Sequence, residues 1–361
     1  MRAPISQSKP SQRGSVIVLV LALIAVASFF LSLFIERSMT EMLVESRARQ
    51  SERLRAEAHG ALETSLAVLA DFQVIDEGLR SPAQGWGDPL AAVDFEPRDD
   101  LVVEVQVEDE SGRISLPRLG QSELVALGRQ FGLKDAEAER LADALLAWTS
   151  REHTSTRYET DPRNYEYAQP PHRVPGRPLA SWDELASIAV ARDLFFDQDG
   201  RPTKLYDDFV ATLSLHDFPA VNLNSAHPGS LELAGLDESQ ISRILAYNRG
   251  EVRNTSDEPA YFKTVAEAQL LLGATVPLTG FDTQARCFRI RVSVREGGTT
   301  FFLTTVVVPA SAASGNAEEG QAAPVRGRAA QAPAGETSGL RYPFKVLAFE
   351  ENIQLASAPT L

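Results

Sequence analysis

The chain opens on an unbroken apolar run. From Ser15 to Ile35 no residue carries a charge, and a helix over that stretch measures about 32 Å, enough to cross a hydrocarbon core of about 30 Å. After Ile35 the pattern becomes mixed: "ERSMTEMLVESRARQSERLRAEA" is charged and still suited to a helix. Ala58, Leu62, Leu66, Leu69 and Phe72 then recur at three- or four-residue spacing, a stripe that packs a helix against a sheet. No proline falls between Ser15 and Leu79, so the pattern predicts a single helix of about 90 Å.

The period then changes. "SPAQGWGDPLAAVDFEPRDD" reads as a loop from its Pro, Gly and Asp content. In "LVVEVQVED", Leu101, Val103, Val105 and Val107 alternate with Glu104, Gln106 and Glu108, the pattern of a half-buried strand, and "ESGRISL" is expected to turn back from it. Residues 119–280 become mostly helical: "LKDAEAERLADALLAWT" is amphipathic, and "SWDE" at 181–184 and "TVAE" at 264–267 have the capping-box form, in which Glu184 reaches back to the amide of Ser181. Strands return in "CFRIRVSVREGGTTFFLTTVVV", where Phe288, Ile290, Val292 and Val294 alternate with Arg289, Arg291, Ser293 and Arg295 and "EGG" supplies the hairpin turn. Residues 310–340 are rich in Ala, Gly and Pro and read as a disordered insertion, and "RYPFKVLAFEE" reads as a last strand.

Charge narrows the meaning of the apolar run. Arg2, Lys9 and Arg13 face no acidic residue in positions 1–14, so the positive-inside rule keeps the N-terminus in the cytoplasm and the bulk of the chain outside. A secretory signal has a shorter apolar core, about 7–15 residues, and a small-residue cleavage site that does not stand here. At 361 residues the chain suggests roughly two domains. Its net charge of −14 disfavours a nucleic-acid partner, and with a single cysteine, Cys287, it can form neither an intrachain disulfide nor a thiolate metal cluster.

A basic leader ending in glycine and abutting an apolar run resembles the class III signal of type IV pilins and pseudopilins. In that family a prepilin peptidase cuts after the glycine and the apolar helix later packs into a filament core. The resemblance places the cut between Gly14 and Ser15. Most members carry Glu five residues after the cut; here the position is Leu19. Four further stretches, "EDESGRISL" at 108–116, "ADALLAWT" at 142–149, "PPHRVPGRPLASWDEL" at 170–185 and "VNLNSAHPGSLELAGLDESQISRILAYNRG" at 221–250, resemble the minor pseudopilin K subunit of the type II secretion system. That subunit typically lacks the glutamate, so Leu19 agrees with it. The resemblance implies an α+β pseudopilin fold, a long N-terminal transmembrane helix packed on a small antiparallel sheet, with a large helical domain of SAM-like or helix-hairpin-helix type inserted between strands. The parts expected are a leader over 1–14, the membrane helix over 15–36, helix extension and first strands over 37–117, the insert over 118–280, further strands over 281–309 and 340–351, and the disordered 310–339. It further implies a non-catalytic subunit in the inner membrane of a Gram-negative bacterium, single-pass with its bulk periplasmic. The expected partners are the prepilin peptidase and the I and J type subunits, with H-type subunits beyond them. The expected role is to cap the pseudopilus tip and nucleate its assembly.

Other motifs have plainer readings. In the 221–250 stretch the hairpin Gly235-Leu236-Asp237 puts an acid where a phosphate-gripping hairpin has its second glycine, and Asp237 reads as a helix N-cap. In "DLFFDQDGRP", Asp193, Asp197, Asp199 and Gly200 suggest a turn; aligned as a calcium loop, Phe195 and Tyr206 would fall at ligand positions. Some relatives bind calcium in the loop after the helix matching "ADALLAWT". Here that loop keeps Glu152, Glu159, Asp161 and Glu166, but Arg, His and Thr replace its dense Asp run, so calcium stays open, no ligand is assigned and no other cofactor is expected. His59, His153, His172, His216 and His227 form no catalytic motif. Two other functions compete with the assembly reading: an anchored DNA-uptake protein using the hairpin, and an unprocessed anchored periplasmic binding domain.

Overall fold

The computed structural model describes residues 13–98, 100–155, 157, 160–167, 171–252, 260–273, 276, 278–310 and 343–354, with side chains from residue 17 onward. Residues 1–12 of the leader and most of the 310–340 segment therefore lie outside the described residues. One helix, α1 (Arg13–Ile75), runs for 63 residues, about 95 Å. It stops short of the expected Leu79 because Glu77 and Gly78 take positive φ angles of 54° and 142°, which breaks the helical ladder without a proline. The stripe is buried as expected: Ala58 and Leu69 are fully covered, and Leu62 and Leu66 nearly so.

The stripe rests on a four-stranded antiparallel sheet in the order β1 (Val102–Asp109), β6 (Phe288–Glu296), β7 (Thr299–Pro309), β8 (Phe344–Gln354). Ile290, Val292 and Val294 of β6 and Leu303 and Val307 of β7 point at α1, so helix and sheet share one core. The Gly297–Gly298 hairpin joins β6 to β7, with Gly297 at φ 58°. A helix-to-loop clasp closes this unit: the nearly buried Glu57 of α1 accepts from the Arg98 amide at 3.1 Å, tying down the loop before β1.

Between β1 and β6 the chain leaves the sheet. "ESGRISL" does not turn back; it forms a helical turn over Glu110–Gly112 and then β2 (Ile114–Ser115), which pairs in parallel with β3 (Leu213–Ser214) deep in the insert. The insert has two cores. The first gathers α2 (Gln121–Gln130), α3 (Asp135–Thr149), α4 (Ala189–Phe195) and α5 (Lys204–Thr212) around Leu127, Leu185, Ile188, Phe195 and Phe209. The second gathers α6 (Pro228–Leu233), α7 (Glu238–Asn248) and α8 (Val265–Leu272) around Leu223, Leu231, Ile244 and Phe262. It is stitched by β4 (Val221–Asn222) pairing with β5 (Phe281–Asp282). The short strands β2 to β5 escaped the sequence pattern because two residues carry no period.

The capping boxes are shifted by one position. Ser181 caps a 3-10 turn over Trp182–Ser187, and Glu184 accepts from the Ala180 amide at 2.9 Å, leaving its other oxygen for the Trp148 indole N–H at 3.1 Å. Glu267 likewise accepts from the Lys263 amide, while Thr264 caps α8.

Candidate functional site: the anchor helix and the sheet–insert junction

Gly14 and Ser15 lie in the first turn of α1, where only the backbone is described. Leu19 follows on the same helix and is 68% exposed, as are its apolar neighbours Val18 and Leu21 to a similar degree. Among the described residues α1 is one helix long and apolar enough to span a bilayer. Above the apolar run the helix carries exposed Met39, Met42 and Leu43 between the Arg37–Glu41 and Glu45–Arg49 ion pairs before it reaches the sheet.

The candidate binding motifs resolve into turns and caps. Asp237 caps α7, accepting from the Gln240 amide at 2.9 Å, and Gly235 supplies the positive φ of 86° for the hairpin. The cap occupies an amide that would otherwise be free to meet a phosphate. Asp197 closes its own turn by accepting from the Asp199 and Arg201 amides at 2.9 and 2.8 Å. In the loop after α3, Asp161 pairs with Arg163 at 2.6 Å, Glu152 and Glu166 are exposed, and Glu159 is outside the described residues. That loop is organised instead by Asp143 of α3, 1% exposed, which is met by His153 Nε2 at 2.8 Å, by Ser155 Oγ at 3.2 Å and by Thr160. Among the described residues no three His, Cys, Asp or Glu are placed to hold a metal ion.

The five histidines are dispersed. His59 binds Glu351 of β8, His153 binds Asp143, His172 packs on Trp148 and Tyr165, and burial lowers the pKa of both His216 and His227. Burial also pushes the Cys287 thiol well up, with Glu110 and Asp109 adding to it, so it is no nucleophile at neutral pH.

Among the described residues, a buried polar cluster lies where β1 hands over to the insert. Asp109, at the end of β1, accepts from the Ser111 amide at 2.9 Å, from Asn222 Nδ2 at 2.7 Å, and from the hydroxyls of Ser111 and Ser225. Beside it Glu110, fully buried, is gripped by Arg113 at 2.8 Å and by Arg289 of β6. Gly112 packs so tightly on Ser225 that a Cβ would stand 2.0 Å from its carbonyl oxygen. The sequence assigned none of these residues a role in a buried cluster. The available signal was polar Asn222 and Asn224 alternating with apolar Val221 and Leu223, a pattern that hides asparagines inside.

A long anchor helix is laid on an antiparallel sheet, with a helical body spliced between two of the strands, and that arrangement is the α+β fold expected of a pseudopilin with an insert. Residues 110–195 match the family described as type II secretion system (T2SS), protein K. The whole fold resembles a solved structure, the crystal structure of the GspK-GspI-GspJ complex from the enterotoxigenic Escherichia coli type 2 secretion system. The TM-score is 0.54 at 14% identity, covering 86% of this chain and 99% of that one. No curated protein matches by sequence. Over residues 110–195 the chain is similar to the protein K family, and its fold is similar to that of the GspK-containing complex.

Proposed function

We propose that this chain is the non-catalytic tip subunit of a type II secretion pseudopilus, which caps the filament and nucleates its assembly for export across the outer membrane. A prepilin peptidase cuts after Gly14, and the mature chain, starting at Ser15, sits single-pass in the inner membrane with its head in the periplasm. Its partners are I- and J-type minor pseudopilins, by analogy with the similar GspK, which is complexed with GspI and GspJ, and H-type subunits lie further down. The observation that carries the reading is the insert: a two-core helical body spliced between β1 and β6, at the end of the sheet where α1 also ends. Such a mass leaves the anchor helix free to join a bundle while obstructing any copy stacked above the head. No cofactor enters the proposal.

The test is chemical. Intact mass and terminal sequencing of protein from native membranes should find Ser15 at the N-terminus. Replacing Gly14 with a bulky residue should block processing while the head stays folded. A dominant species retaining Met1 or Arg2 would return the chain to the class of plain anchored proteins.

A further inference from the structure

The buried polar cluster at the sheet–insert junction joins more than its own two strands. Asn222 Nδ2 donates both to Asp109 Oδ2 at 2.7 Å and to the carbonyl of Arg80 at 2.8 Å, and its Oδ1 accepts from the Asn224 amide at 3.1 Å. Asn224 in turn donates to the carbonyls of Phe262 and Thr283, each at 3.0 Å, and accepts from the Phe262 amide at 2.7 Å. The Arg286 amide donates to Ser111 Oγ at 3.0 Å, and the His227 amide to the Gly112 carbonyl at 2.9 Å. Arg80 lies just past the end of α1, and its neighbour Leu79 accepts from the Ala285 amide at 2.7 Å. Five stretches therefore meet here: the end of α1, the end of β1, the entry to the second insert core, its exit at Thr283 to Arg286, and the turn before α8. Asn222 is fully buried, and Asp109 and Asn224 are each 7% exposed.

We propose that this junction is a positioning device, and that Asn222 is the residue through which the helical insert is locked to the end of the anchor helix. A connection made of two crossing strands alone would act as a hinge, because a pair of chain segments resists bending but not rocking. The forked Asn222 amide removes that freedom. It binds the insert to the segment just past α1 and to the sheet at once; the bond to Asp109 is buried and that to the Arg80 carbonyl partly so, and breaking the buried one leaves a polar group unsatisfied. The stretch that resembles a nucleic-acid hairpin thus serves as an internal joint. The insert follows the axis of α1, and a displacement of the anchor helix along the filament carries the insert with it.

Paired spin labels on the full chain in lipid nanodiscs read this directly. Cys287 is buried, so labels attach at introduced sites on exposed positions, Ala67→Cys on α1 and Glu238→Cys on α7. The unaltered junction should give one narrow distance distribution. Asn222→Ala should broaden it several-fold while near-UV circular dichroism shows both insert cores still packed. Thr203→Ala, which removes the cap of α5 and the hydroxyl's bond to the Leu194 carbonyl, away from the junction, should lower the melting temperature and leave the width alone. A distribution already broad with Asn222 present, or one equally narrow with Asn222→Ala, would overturn the proposal. Should Asn222→Ala fail to fold, Ser225→Ala, which removes a single hydroxyl from the cluster, decides by the same width.

Discussion

Two adjacent acids at the end of β1 meet opposite electrostatic fates. Burial alone would raise the Glu110 carboxyl, but the guanidiniums of Arg113 and Arg289 outweigh it and hold the pKa below its ordinary value. Asp109 has only neutral donors, from Ser111, Ser225 and Asn222; they work against burial without overcoming it, and its pKa is raised. The signs follow by linkage. The contribution of Glu110 is present above its unfolded pKa and is lost as pH falls through the lower folded value. That of Asp109 is present below its unfolded pKa and is lost as pH rises through the higher folded value. Glu110→Gln should therefore cost about 3 kcal/mol near neutral pH, the scale for removing one member of a buried pair. The gap to the wild type should close as the solution is acidified. Urea midpoints of the two proteins across pH check this; a gap that stays constant would mean that Glu110 acts by shape rather than charge.

At the scale of elements, β8 is held unequally along its length. Phe344 at its start is 2% exposed and meets Phe288 edge-on at 6.4 Å, inside the core beneath α1. Phe349, further along, is 45% exposed and touches the rim of α1 at His59, where Arg55 and His59 also hold Glu351. Phe344→Ala should cost about 3–5 kcal/mol, whereas Phe349→Ala should cost at most about 1.5 kcal/mol. Chemical denaturation separates them, and equal losses would show that the exposed end of β8 is as well supported as its start. The same strand shows what the sequence could and could not convey. The α1 stripe and the alternation in β1 and β6 were legible because each buries one face over several periods, β7 was read as the strand after the "EGG" turn, and "RYPFKVLAFEE" announced β8 by composition. The two cores of the insert were not legible. Leu223 and Leu231 belong to one and Leu213 to the other, yet all sit in similar apolar surroundings along the chain, and only the three-dimensional pairings of β2 with β3 and β4 with β5 divide them. The junction was hidden for a related reason: Asp109, Asn222 and Arg80 are far apart in sequence, and a polar residue looks exposed until its partner is known.

For the whole molecule, the helix below the sheet and the helix on it are physically different objects. Residues 17–35 present apolar side chains to their surroundings, whereas Leu54 to Leu69 bury theirs on the sheet. A fragment starting near residue 38 should therefore fold in water and bind I- and J-type heads, and deleting 312–338 should leave that binding intact; loss of binding on deletion would make the segment an interaction tail. Leu19 sets the final expectation. On the proposed reading, the glutamate usual at this position neutralises the free terminal amine of the neighbouring subunit toward the tip. A carboxylate in the hydrocarbon core is unfavourable by about 2.5–3.5 kcal/mol on insertion scales when unpaired, so a subunit with a neighbour above gains a partner for that charge and a subunit with none does not. An apolar side chain is then the stable choice for the topmost position. The insert works in the same direction by sheer bulk. Expressed alone with a prepilin peptidase, the chain should be processed yet form no filaments. Leu19→Glu should reduce incorporation into a complete pseudopilus without creating a polymer, since the head still blocks stacking. Homopolymeric filaments seen by electron microscopy, or crosslinks between successive copies along a shaft, would remove this chain from the tip.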